Sequence, residues 1–173
     1  VESDPKEAIR LYAQAANEGN SEAMFRLGCM LFDGRGITES IDEAIKWWTK
    51  ASEYGNVTAM KRLYDCYECG DGVEKDFKKA IRFMKMASDK GDEKSMMRLA
   101  RHFEVGDCVE MNLDKAYELY KKAFDYKTKD SCVVSNEGKK DKERLMFETW
   151  ERLAMKGHVG SLNALGDCYG NGK

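Results

Sequence analysis

Apolar and small residues return along this chain every 36 positions. Leu27, Leu63 and Leu99 share one column, Ala8, Ala44, Ala80 and Ala116 a second, and Ala51, Ala87 and Ala123 a third. Between these landmarks the apolar positions keep helical spacing. In residues 57–92, Ala59, Met60, Leu63, Tyr64 and Tyr67 fall on one side of a first helix, and Ala80, Ile81, Phe83, Met84 and Ala87 on one side of a second. Gly70, Asp71 and Gly72 break the chain between them, and Gly91 stops the second helix. Asp4, Ser40, Asp76 and Asn112, again 36 apart, are residues whose side chains cap a helix start, and Pro5 sits just inside the first of them. A period of this size without strand-like alternation predicts an all-α array of stacked antiparallel hairpins, each burying its apolar face only against its neighbours.

The pattern divides the chain into a partial repeat at 4–20, full repeats at 21–56 and 57–92, a repeat at 93–158 carrying about 30 extra residues, and a partial repeat at 159–173. Residues 127–142 hold the insertion. Lys127 to Asp141 shows no apolar periodicity and reads as a loop, followed by an added helix from Lys142 to Lys156 whose inner face is Leu145, Met146, Trp150, Leu153 and Ala154. The basic cluster Lys139, Lys140, Lys142 and Arg144 alternates with acids and reads as solvated. Both ends cut the pattern inside a hairpin and neither supplies a polar cap, so the expectation is a piece of a longer array.

Charge and cysteine usage narrow the partners. The 29 basic and 31 acidic side chains leave a formal net charge of -2, which gives no global attraction to nucleic acid or to an anionic membrane surface. No apolar run approaches the roughly 18 residues of a membrane-spanning helix. The six cysteines, at 29, 66, 69, 108, 132 and 168, do not recur at one place in the repeat as a stapled framework would require. Reduced thiols and a cytoplasmic location are the expectation. No phosphate loop, metalloprotease motif or nucleophile elbow occurs, so a binding protein without catalytic residues or cofactor is expected rather than an enzyme.

Leu63-Tyr64-x-x-Tyr67-x-x-Gly70-x-Gly72-Val73-x-x-Asp76-x-x-Lys79-Ala80-x-x-Phe83, ending in Ala87 and Gly91, resembles the Sel1-like repeat, a relative of the tetratricopeptide repeat. Leu27-Gly28 to Gly55 and Leu165-Gly166-x-x-Tyr169-x-x-Gly172 carry the same pattern. The resemblance implies a right-handed α-solenoid and a scaffold or adaptor in protein complexes, with first helices lining a concave wall. On that wall would stand Phe25, Arg26, Cys29 and Phe32, then Lys61, Arg62, Asp65 and Glu68, then Met97, Arg98, Arg101 and Glu104. The partner-binding set expected from these is Phe25, Arg26, Phe32, Lys61, Arg62, Met97, Arg98 and Arg101. Arg26, Arg62 and Arg98 share a column whose guanidinium forks suit the carboxylates of an acidic peptide. The other reading of the arginines is pairing with nearby acids such as Glu22, Asp65 and Glu68, and Phe25 and Phe32 have the alternative of packing on a preceding repeat.

Other residues have structural readings beside chemical ones. Cys66 and Cys69 form a CxxC, and with His102 and Cys108 of the next repeat they could hold zinc, but no second CxxC completes such a set and the expectation is no metal. His158 stands in the column of Asn20, Asn56 and Asp92 and reads as a substituted helix cap. Trp47, Trp48 and Trp150 read as core. Two other functional classes remain open beside the scaffold. One is a secreted, disulfide-bonded repeat protein with hydrolase-like activity, as the resemblance allows, and the other a regulatory array attached to an enzyme domain elsewhere.

Overall fold

Each apolar stripe of the sequence becomes one face of a helix. The computed structural model describes residues 4–36, 38–130 and 136–170, with side chains except at 126–130 and 136–139. The helices among them are α1 (Pro5–Asn17), α2 (Ser21–Asp33), α3 (Ile41–Glu53), α4 (Val57–Cys69), α5 (Phe77–Asp89), α6 (Glu93–Val105), α7 (Leu113–Asp130), α8 (Asn136–Met155) and α9 (Val159–Gly170), and no strand occurs among the described residues. They fall into two compact units, Val1–Lys90 and Gly91–Lys173. In the first, α2 pairs with α3 and α4 with α5, while α1 packs on α2 and α3 on α4. In the second, α6 pairs with α7 and α8 with α9, and α7 also touches α8 and α9.

The repeated columns are the contact surfaces. Ala44, Ala51, Ala80, Ala87, Ala116 and Ala123 are all at 0% exposure, and Leu27, Leu63 and Leu99 are buried. A methyl side chain at these positions lets helix backbones approach, so the larger side chains of neighbouring helices close over the contact. First helices end on a glycine with left-handed backbone, such as Gly70 at φ 79, whose amide donates to the Cys66 carbonyl at 2.8 Å. A side chain there would be strained.

Capping follows the sequence closely. Asp4 accepts from the amides of Lys6 and Glu7, Asp76 from Lys79 and Asn112 from Lys115. Ser40 takes the extended cap conformation, yet its side chain makes no cap bond. Asn20, Asn56 and Asp92 cap the first helices. His158 does the same for α9, its Nδ1 accepting from the Ser161 amide at 3.0 Å while Nε2 meets Asp114 at 3.2 Å.

The insertion departs from the sequence expectation. Residues 127–130 continue α7 and 136–141 open α8, so most of the expected loop is helix. Lysine, glutamate and aspartate without an apolar stripe still allow helix, since no proline interrupts them and the long side chains lose little freedom there. The remainder, 131–135, lies outside the described residues, as does Ile37. The apolar half of α8 packs as expected except at Leu145, which is 43% exposed rather than on the inner face. Trp150 sits 4.6 Å from the Tyr117 ring and edge-on to Phe124 at 5.9 Å, with Leu153 at 0% exposure.

Leu63 lies at 0% exposure in the centre of α4. Leu63→Ala is expected to lower stability by about 2–5 kcal/mol in chemical denaturation. An unchanged midpoint would contradict its burial.

Candidate functional site: the aromatic and arginine face of α2 and α4

Trp48 organises this region. It projects from α3 at 0% exposure, and its indole Nε1 donates to the Phe25 carbonyl of α2 at 3.1 Å. Gly28 makes room for it, since a Cβ there would stand 2.5 Å from Trp48 Cδ1 and Nε1. Phe25 and Phe32, both half-buried, flank the indole at ring separations of 6.5 and 5.3 Å. Arg62 reaches over from α4, its guanidinium 4.9 Å from the Phe32 ring and 5.4 Å from the Trp48 ring. A cation held over aromatic faces gains about 0.5–2 kcal/mol, more as water is excluded. The half-buried Cys29 thiol lies within electrostatic reach of both Arg62 and Arg26; burial raises its pKa, and the two arginines and a Trp48 hydrogen bond oppose that rise.

The sequence placed these residues on one wall, and the structure gives them different environments. Arg26 is exposed and paired with Glu22 at 2.7 Å on its own helix. Phe25 and Phe32 pack on Trp48 of their own hairpin. Lys61 is half-buried. In the second unit Arg98 and Arg101 are exposed, while Met97 is half-buried and packs against that unit's core. Trp47 is also half-buried, with the Lys50 ammonium 5.1 Å from its ring, so it is not a core residue as the sequence suggested. Beside α1 and α2 lies a concavity of about 300 Å³ whose lining includes Asp4, Tyr12, Arg26 and Asp33.

Glu104 requires a correction. The sequence put it on the open wall with Glu68, but it is 3% exposed. Its carboxylate accepts from Arg152 Nε at 2.8 Å, from Lys156 Nζ at 2.9 Å and from the Tyr120 hydroxyl at 3.0 Å. The column of 32, 68 and 104 faces inward: Phe32 meets Trp48, Glu68 accepts from the Tyr64 hydroxyl, and Glu104 accepts from Tyr120. Helical spacing could not show that α8 brings two cations to position 104. Burial alone would push the Glu104 carboxyl up, but hydrogen bonds from Arg152, Lys156 and Tyr120 and the charge on Arg152 outweigh it and hold its pKa at about 2.

The thiols divide as well. Cys66 is buried, which pushes its pKa up to about 11, against the pull of Arg62, while Cys69 is exposed. In the second unit His102, Asp107 and Cys108 converge, with one ligand-type atom of each within 4.8 Å of the others. His102 is 8% exposed and its Nδ1 lies 2.8 Å from Asp107 Oδ1. Burial raises the Asp107 carboxyl, but the hydrogen bond and charge of His102 and the Cys108 amide bring it below its ordinary value. The sequence singled out His102 and Cys108 and missed Asp107, which the turn after Gly106 folds back onto the helix end.

The family profile of the Sel1 repeat matches residues 1–20, 21–56, 59–92, 93–125 and 160–173. The chain belongs to the Sel1 repeat family. The stretch between the last two matches holds α8, in keeping with its reading as an addition to the repeat. Among solved structures, a Sel1 repeat protein from Oxalobacter formigenes is similar over 100% of this chain and 73% of its own, at 25% identity and a TM-score of 0.64. Cysteine rich protein B of Helicobacter pylori aligns with 75% of this chain and 92% of its own, at 25% identity and a TM-score of 0.55. A protective antigen of uropathogenic Escherichia coli with an SLR fold covers 95% of this chain and 36% of its own, at 24% identity and a TM-score of 0.61, a likeness of fold alone. A search of the curated proteins gives no match. Sel1 repeat proteins commonly mediate protein–protein interaction, and their fold is generally a non-enzymatic scaffold. Among the described residues no helix of this Sel1 repeat protein is long and apolar enough to cross a membrane.

The Glu104 cluster ties the added α8 of this Sel1 repeat protein to α6 and α7, and its contribution depends on pH. Because the folded pKa lies below the ordinary 4.5, that contribution is full above about pH 4.5 and disappears as pH falls toward about 2. Glu104→Gln is therefore expected to be less stable than the parent near pH 7, with the gap closing in acid. A gap of the same size across that range in parallel denaturation curves would contradict the assignment.

Proposed function

We propose that this chain is a non-catalytic scaffold whose first unit grips an acidic peptide along α2 and α4. The observation that carries this is the Arg62 guanidinium laid over the Phe32 and Trp48 rings. A cation oriented in this way loses less side-chain freedom on meeting a carboxylate than one in open solvent, and the half-buried rings of Phe25 and Phe32 offer apolar area to neighbouring peptide side chains. Arg26 adds a second guanidinium on the same stretch of α2, and Lys61 a further cation on α4. The surface Glu22 pair is no obstacle, because an exposed ion pair is worth about 0–1 kcal/mol and exchanges readily for a better-placed carboxylate. Arg98 and Arg101 on α6, beside Met97, give the second unit an exposed basic surface of its own. Cys29, Cys66, Cys69 and Cys168 form no disulfide, in keeping with a reducing compartment, and the cytoplasm is the proposed place of action.

Selection of a displayed random-peptide library on the intact chain tests the reading. Enriched sequences are expected to be acidic with interspersed apolar residues. A synthetic peptide of that composition is expected to lose at least about tenfold in affinity, about 1.4 kcal/mol, for Arg26→Glu combined with Arg62→Gln. Helicity of the variant confirms that it is folded. Absence of acidic enrichment, or full affinity in the folded variant, would exclude this face.

A further inference from the structure

The turn that follows α6 differs from its counterparts in a way that repeat packing does not explain. Position 36 and position 72 are glycines with left-handed backbone, at φ 76 and 74, and Gly36 lies close against Pro5 while Gly72 lies close against Ile41. The same column holds Cys108, and no non-glycine residue among those described has positive φ. The structural use of a glycine has been given up here and a thiol stands in its place. One turn back, the column of Met30 and Cys66 is occupied by the buried His102, and the column of Arg35 and Asp71 by Asp107. Among the described residues, only in this turn do an imidazole, a carboxylate and a thiol come together.

The rest of the local geometry is fixed by the backbone. Gly106 ends α6 in the left-handed conformation, its amide donating to the His102 carbonyl at 2.8 Å, and Asp107 Oδ1 accepts from the Cys108 amide at 2.9 Å. Residues 107 and 108 are thereby folded back over the last turn of the helix. The three ligand-type atoms lie within 4.8 Å of one another. Bonds of about 2.0–2.3 Å to a tetrahedral zinc ion hold ligand atoms some 3.3–3.8 Å apart, so small side-chain adjustments bring the three around one ion. A thiolate with an imidazole selects a borderline-soft cation over magnesium or calcium, and the two negative charges of thiolate and carboxylate balance Zn²⁺.

We propose that His102, Asp107 and Cys108 form a zinc site with three protein ligands and a fourth position open to water or to a side chain of a bound partner. Binding releases the Cys108 proton and exchanges the contact between His102 and Asp107 for two metal bonds. The ion cross-links the end of α6 to the turn that leads into α7. In the first unit Cys66 and Asp71 repeat two of the positions but Gly72 supplies no ligand, which makes that turn a built-in control.

Titration of the intact, reduced chain with Co²⁺, a spectroscopic substitute for zinc, tests the site. One equivalent is expected to give a thiolate-to-cobalt charge-transfer band in the near ultraviolet and the strong visible bands of a tetrahedral ion, all reversed by zinc. Cys108→Ser is expected to abolish the charge-transfer band, and Asp107→Asn to weaken binding at least about tenfold, since loss of even an outer partner of a ligand costs about 10–100-fold. Cys69→Ser is expected to leave both unchanged. In the unmutated chain, zinc is expected to slow alkylation of Cys108 at least tenfold while Cys69 continues to react, read by peptide mass spectrometry. No charge-transfer band, a band that survives Cys108→Ser, or unprotected Cys108 would overturn the assignment, and the alkylation arm decides the question if the variants do not fold.

Discussion

Close approach of helices across small side chains is the constraint on which each unit rests. The alanines at 44, 80 and 116 and at 51, 87 and 123 are wholly buried, so a larger side chain at any of them has to displace packed neighbours. A hairpin of this size has too little apolar surface to fold alone and gains its stability from its neighbours. Other columns vary from repeat to repeat. Gly28 admits the Trp48 indole, whereas the equivalent positions pair a larger residue with a smaller one, Tyr64 with Met84 and Ala100 with Tyr120. Size and shape at these paired positions differ from repeat to repeat, and in the first of them the result is a buried tryptophan flanked by two phenylalanines.

That variation is where function can enter. Trp48, fixed by Gly28 and by its bond to the Phe25 carbonyl, creates the shelf on which Arg62 rests. In the second unit the same columns hold Tyr120 and Glu104, and the shelf is replaced by a buried ionic cluster with Arg152 and Lys156. A buried carboxylate with a single partner would be costly, but three donors satisfy this one. The cluster explains how α8, an addition to the repeat, is attached without losing the packing of α6 on α7. The two units thus use one framework differently, the first for a half-buried cation over rings and the second for an internal tie.

Most of the framework was legible in the sequence because it is periodic. The hairpins, the leucine and alanine columns, the caps at Asp76 and Asn112 and the replacement of a cap by His158 all follow from position within a 36-residue register. What periodicity could not show are contacts between residues far apart in that register. Glu104 was placed on an open wall because its partners, Arg152 and Lys156, come from an inserted helix with no counterpart in earlier repeats. Arg62 shares a column with Arg26, yet only a partner helix bearing tryptophan puts one of them over rings. Residues 136–141 read as loop in the sequence because they carry no apolar stripe, although they open α8. Asp107 was missed because a turn, not a helical spacing, brings it to His102.

The tight alanine contacts carry the whole account, and enlarging one of them tests it most directly. Ala80→Leu adds apolar surface that would be welcome in a loose interface, but at 0% exposure between closely packed helices it has no room. The account predicts a loss of about 1–3 kcal/mol in denaturation with helicity otherwise retained. Equal or greater stability in the leucine variant would contradict it.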